Sequence, residues 1–155
     1  MRNGVRRLYR KLRRLVACSC FITILMAGSA YAEGIRINVL ANGKTLSATL
    51  DDTPAGRMLY EQLPITMQMR NIYGWQMSSY MLQSLPTGKM VANNYKVGDI
   101  IYWPFKRTLV ILYKQNGERF QRQHIGHIDS GVEVFEGSGD TIVTFVPYSE
   151  EVTNP

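Results

Sequence analysis
The chain has 155 residues, with 18 Lys and Arg against 12 Asp and Glu, two His and two Cys. That is room for one compact domain and excludes a large multidomain enzyme. Hydrophobic residues at 45% and charged residues at 19% lie near globular averages, so neither general disorder nor a membrane-embedded bundle fits the whole chain.

Residues 1–14 carry seven basic residues and no acid, and the 14-residue apolar run Leu15–Gly28 follows, closing near Ala30-Tyr31-Ala32. This is the layout of a secretory signal peptide cleaved after Ala32, and the run is shorter than the roughly 20 apolar residues of a spanning helix. The expected organisation is a leader at 1–32, one domain at 33–148 and a polar tail at 149–155, in the periplasm or secreted. Leu15-Val16-Ala17-Cys18 loosely resembles a lipobox, but Cys18 opens the apolar run, whereas lipid attachment follows such a run. Arg6-Arg7-Leu8-Tyr9-Arg10-Lys11 has twin-arginine character, yet an ordinary basic leader explains it as well.

Without the leader, residues 33–155 hold 11 basic and 12 acidic residues, a formal charge of −1. The +6 of the whole chain belongs to the leader, so there is no field for nucleic acid, and a membrane is met only through the leader during export. Cys18 and Cys20 leave with it, which removes any disulfide, thiolate metal site or Cys nucleophile.

In the remaining chain, Ile35, Ile37 and Val39 alternate with polar residues, as do Leu46, Ala48 and Leu50, with Asn42-Gly43 between them; this pattern predicts a β-hairpin. Asp52 or Thr53 then caps a helix of about ten residues that opens at Pro54, carries Ala55, Leu59 and Leu63 on one face and stops at Pro64. Further strands are predicted at Ile65–Arg70, Trp75–Met81, Asp99–Trp103, Thr108–Lys114, Phe120–Ile128 and Thr141–Val146. Leu109–Tyr113 is apolar on both faces and reads as a central strand covered on each side. Ser130-Gly131-Val132-Glu133 has capping-box spacing and predicts one short helical turn. Residues 82–98 carry no clear pattern. Eight strands with one or two short capping helices predict a mainly β fold, a closed barrel or a sandwich.

Chemistry is sparse. His124-Ile125-Gly126-His127-Ile128-Asp129 gathers metal-type ligands, but in a regular strand His124 and His127 face opposite ways, leaving a His127–Asp129 surface pair; a bulge at Gly126 would realign the two imidazoles. Met58, Met67, Met69, Met77, Met81 and Met90 could offer soft thioethers to copper, but Met67 and Met69 occupy the apolar phase of a strand and read as core. Tyr73, Trp75, Tyr80, Tyr95, Tyr102, Trp103 and Phe105 cluster in mid-chain; Trp75, Tyr80 and Trp103 lie beside turns and are the candidate ligand-binding residues. No Gly-x-Ser-x-Gly, His-Glu-x-x-His or phosphate-loop pattern occurs, so no catalytic residue, metal or cofactor is assigned.

The order of short motifs is distinctive: the hairpin, Thr53-Pro54-Ala55, Leu63-Pro64-Ile65-Thr66-Met67, Leu85-Pro86, Gly98-Asp99-Ile100, Leu109–Lys114, Ile125-Gly126-His127-Ile128-Asp129 and Gly137-Ser138-Gly139-Asp140. Over residues 34–147 this resembles the small bacterial cyclophilin-like domain family. The resemblance implies a closed eight-stranded cyclophilin-type β-barrel capped by helices. It implies no activity: true cyclophilins follow a Phe-x-Arg stretch with a Phe-x-x-Gln-Gly element, which does not follow Phe120-Gln121-Arg122, so Arg122 is not assigned as catalytic. The expected function is an exported, non-catalytic barrel binding a peptide or small molecule in an aromatic groove. The alternatives are a weak peptidyl-prolyl isomerase and metal binding at His124, His127 and Asp129 or at the methionines.

Overall fold
The computed structural model describes residues 34–150. The leader at 1–32, the cleavage position Ala32 and most of the tail expected at 149–155 lie outside the described residues. Strands β1 (Ile35–Ala41) and β2 (Lys44–Leu50) form the predicted hairpin. Asn42 and Gly43 both adopt positive φ, 49° and 72°, the backbone that a two-residue turn needs to match strand twist. Ile37, Val39, Leu46, Ala48 and Leu50 all point into the core.

Helix α1 (Pro54–Glu61) is capped by Thr53, whose hydroxyl accepts the Gly56 N–H at 3.1 Å. Proline at the first helical position loses no hydrogen bond there, and Ala55 and Leu59 carry the buried face. The chain continues as β3 (Ile65–Ile72), β4 (Gln76–Tyr80), β5 (Val91–Asn94), β6 (Asp99–Trp103), β7 (Thr108–Leu112), β8 (Arg119–Ile128) and β9 (Thr141–Pro147). Hydrogen bonding runs β2-β1-β9-β3-β4-β7-β6-β8, and a β2–β8 pairing joins the ends, which closes an eight-stranded antiparallel barrel. At that closure β2 crosses Gly126 so tightly that a Cβ there would lie 2.5 Å from the Thr49 carbonyl oxygen.

The ninth strand, β5, pairs only with the first half of β8. It rises from the unpatterned 82–98 stretch and is exposed throughout, so no apolar alternation marks it. The stretch is a strap fastened to the barrel by side chains. Leu85 N–H donates to the Tyr102 hydroxyl at 3.2 Å, Gly88 N–H to Gln123 Oε1 at 2.9 Å, and Gln123 Nε2 to the Pro86 carbonyl at 2.9 Å.

β7 is the doubly covered strand expected. Leu109 and Ile111 join the barrel core, while Val110 and Leu112 join a second cluster with Tyr95 and Ile101, against which Trp75, Trp103 and Phe120 pack. Met67, Met69, Met77 and Met81 are core residues, so the thioethers fill space among aliphatic neighbours as expected of methionine. One expectation fails locally. The turn at Val132–Phe135 is a 3-10 helix entered through Gly131 at φ 85°, with no side-chain cap, so the Ser130–Glu133 capping box does not form.

Candidate functional site
β8 departs from regular pairing at one point. Ile100 of β6 stands opposite Gly126, but Ile101 stands opposite His124, which leaves Ile125 as an extra residue on β8. A one-residue bulge shifts the face of everything beyond it. His127, opposite Asp99, and His124, opposite Ile101, therefore share the outer face of the barrel. The expected His127–Asp129 pair is not present: Asp129 accepts the Thr49 hydroxyl at 3.2 Å, while His127 pairs with Asp99.

Asp99 is the hub. Its Oδ1 lies 3.1 Å from His127 Nδ1 and 3.4 Å from His124 Nε2. Its Oδ2 accepts Arg122 Nη1 at 2.7 Å and the Lys96 backbone N–H at 2.9 Å. Asp99 is 3% exposed and Arg122 6%. Arg122 also donates from Nε and Nη2 to Asn93 Oδ1 and from Nη2 to the Asn94 carbonyl. Beyond His124, Asp51 Oδ2 lies 2.6 Å from Nδ1, so one imidazole bridges a carboxylate from the β2–α1 corner and one from β6.

The ionisation follows from these contacts. Hydrogen bonding to Asp51 and then to Asp99, together with both negative charges, outweighs burial and pushes the His124 pKa from 6.5 up to about 9. Burial alone would raise the Asp99 carboxyl, but hydrogen bonds from His124, the Lys96 N–H and His127, with the His124 charge, hold it well below the usual carboxylate range. His124 is thus an imidazolium that donates from Nδ1 to Asp51 and holds Nε2 3.4 Å from Asp99 Oδ1. Asp99 accepts only, so His127 Nδ1 carries a proton, and among the described residues Nε2 is the nitrogen left without a partner.

Above this network lies an open cavity of about 440 Å³, lined by Val91, Asn93, Asn94 and Lys96 from the strap and by Asp99, Arg122, His124 and His127 from the barrel. A second depression of about 260 Å³ adjoins it across Val91 and His124, where Asp51, Lys89 and Gln123 contribute to its wall. Both lie along the junction of strap and β8.

The aromatic candidates divide. Trp75 and Trp103 flank Phe120, with ring centroids at 6.3 and 5.9 Å, and Trp75 stacks on Tyr95 at 5.9 Å. Tyr80 shares the outer face with Trp103, since both stand opposite Thr108, but it lines a separate depression near Met67 and Gln83. Tyr80 also lies under the Arg107 guanidinium, 4.6 Å from the ring centroid. Phe105-Lys106-Arg107 has the same Phe-x-Arg spacing as Phe120-Gln121-Arg122, but Arg107 is exposed over the Tyr80 ring whereas Arg122 is buried in its ion pair. Phe120, Arg122 and His124 alternate along β8, so the aromatic cluster adjoins the charged cavity.

Among the described residues, no group of three or more His, Cys, Asp or Glu side chains is arranged to hold a metal ion. His124, with a carboxylate beside each nitrogen, and Asp129, turned to Thr49, do not converge with His127 as a ligand set. The sequence reading missed Asp51, Asp99, Asn93 and Lys96. Asp99 had one available signal, its position directly after Gly98 at the start of the apolar strand Asp99–Trp103, where a carboxylate needs partners.

No curated protein matches the chain in sequence. The fold is similar to the solution structure of the hypothetical protein AF2241 from Archaeoglobus fulgidus, with a TM-score of 0.58 and 16% identity over 78% of this chain and 99% of that one. It is also similar to McbB, solved in complex with tryptophan, with a TM-score of 0.57 and 12% identity over 77% of this chain and 48% of that one, so this chain spans about half of McbB. At these identities the likeness is one of fold alone. The family model that matches residues 39–146 is described as the cyclophilin-like family. With the closed barrel and the match both extending over most of the chain, the protein belongs to the cyclophilin-like family.

Proposed function
We propose that this protein is an exported binding domain that takes a small molecule or a peptide segment in the groove between the strap and β8. The observation that carries the reading is the charged network at the floor of an open cavity of about 440 Å³. A buried ion pair adds little to stability compared with apolar residues of similar volume, and the walls bring several polar groups together in a cavity of ligand size. The aromatic residues Trp75, Phe120 and Trp103 pack together beside this groove along β8, with Tyr80 set apart. A non-catalytic reading also fits Arg122, whose guanidinium is engaged by Asp99, Asn93 and Asn94 and is not presented to a prolyl amide.

The test is intrinsic fluorescence during titration with proline-containing peptides and a panel of small molecules. Trp75 and Trp103 pack on Phe120, two residues from Arg122, and report on the groove. A saturable spectral shift is expected with at least one compound, and an Asn93→Trp variant that fills the cavity abolishes it. No shift across the panel, or a shift that survives the filled cavity, overturns the reading. A protease-coupled proline-peptide assay is expected to show no acceleration.

A further inference from the structure
We infer that the groove selects a small organic carboxylate, held through Lys96 and the Asn93 amide beside Arg122; this rests on the reading of the groove as a binding site and names its ligand class. The argument is one of charge. Lys96, Arg122 and the His124 imidazolium carry three positive charges; with Asp51 paired to His124 the excess is one, and the carboxylate that lines the cavity is that of Asp99. That carboxylate is 3% exposed, and its two oxygens are already occupied by Arg122, the Lys96 N–H and the two imidazoles. Its charge is therefore offset by Arg122 and His124 before a ligand arrives. The other acid of the network, Asp51, lies behind His124 and lines the adjacent depression with Lys89.

The donors that remain point to the same class. Arg122 occupies Asn93 Oδ1, which leaves the Asn93 amide N–H groups to donate, and the Lys96 ammonium stands on the exposed wall. A carboxylate can accept from both, and charge-assisted hydrogen bonds of this kind are the stronger ones. Volume argues against a bare inorganic ion. A cavity of about 440 Å³ falls in the range that takes an organic molecule, and Val91 on its wall and Phe120 one β8 alternation away give such a molecule apolar surface.

Benzoate and its neutral isostere benzamide separate the possibilities. Amide spectra of the 15N-labelled protein are followed as each is added, with N-acetylphenylalanine and its amide as a larger pair. The acids are expected to shift Asn93, Lys96 and His127 saturably, at least ten-fold more tightly than the amides. Lys96→Gln, a change at an exposed side chain, is expected to remove most of that preference. Amides that bind as tightly as the acids overturn the carboxylate class while the groove stands as a binding site. If none of the four compounds shifts these residues while another molecule does, the class is likewise overturned. If no molecule of any charge shifts them, both readings fall.

Discussion
His127 Nδ1 lies 3.1 Å from Asp99 Oδ1, directly across the rung where β6 and β8 pair. The same carboxylate is hydrogen-bonded on its other oxygen to Arg122, so the imidazole that faces the groove is oriented by a group whose own position is fixed by a buried cation. Side chains locked in this way hold their geometry before any ligand arrives.

Removing one member of the buried pair strands the other. Asp99→Ala leaves the Arg122 guanidinium, 6% exposed, without its countercharge and is expected to destabilise the fold by about 3–5 kcal/mol. Replacing both partners with apolar residues, Asp99→Leu with Arg122→Met, is expected to recover much of that loss. Urea denaturation of the single and double variants measures it. A single variant as stable as the parent sinks the account of Asp99 as the hub.

The His124 shift sets a pH dependence. The folded pKa, about 9, lies above the ordinary 6.5, so its contribution to stability is fully present below about 6.5 and declines as pH rises through 9. His124→Gln removes the titrating group. The difference in denaturation midpoint between parent and variant is expected to be largest at pH 6 and to vanish near pH 10. A difference that grows with pH contradicts the bridged imidazolium.

For Asp99 the sign is reversed. Its carboxyl is held below 3.8 in the fold, so its contribution is present above that value and lost as pH falls through the lower folded value. Acid unfolding of the parent is expected to be steeper than that of the Asp99→Leu, Arg122→Met double variant, as followed by circular dichroism.

Gly98 has φ +101°, and a Cβ there would lie 2.7 Å from both His127 Cε1 and the Ile128 carbonyl oxygen. Gly98→Ala meets both a backbone penalty and a clash, at a cost of at least about 1–2 kcal/mol. It is also expected to displace the His127 ring, so its imidazole resonances move even in variants that stay folded. Unchanged His127 signals tell against the close approach.

The barrel strands were legible because each half-buried segment alternates: Ile37 and Val39 in β1, Met67 and Met69 in β3, Val143 and Phe145 in β9. The hairpin turn was legible because Asn-Gly is what two positive φ angles demand. β5 was not, since Val91-Ala92-Asn93-Asn94 forms a strand only because β8 is there to receive it. The site was half legible. The histidines stand out in the sequence, but which way they face depends on Ile125 being passed over in the ladder, a tertiary choice that no local spacing encodes. Asp51 and Asp99 come together on His124 from positions 48 residues apart, brought there by barrel closure.

That closure leaves a mark on the groove. The seam between β2 and β8 has three rungs, Ala48 with Ile128, Thr49 with His127, and Leu50 with Gly126. Its middle rung belongs to the same histidine that faces Asp99 across β6. Opening the seam would loosen the groove floor with it, so an occupant of the proposed groove would work like a rivet through overlapping plates. If the proposed ligand binds there, hydrogen exchange at the rungs of the seam is expected to slow, and the barrel's resistance to breathing to rise with ligand concentration.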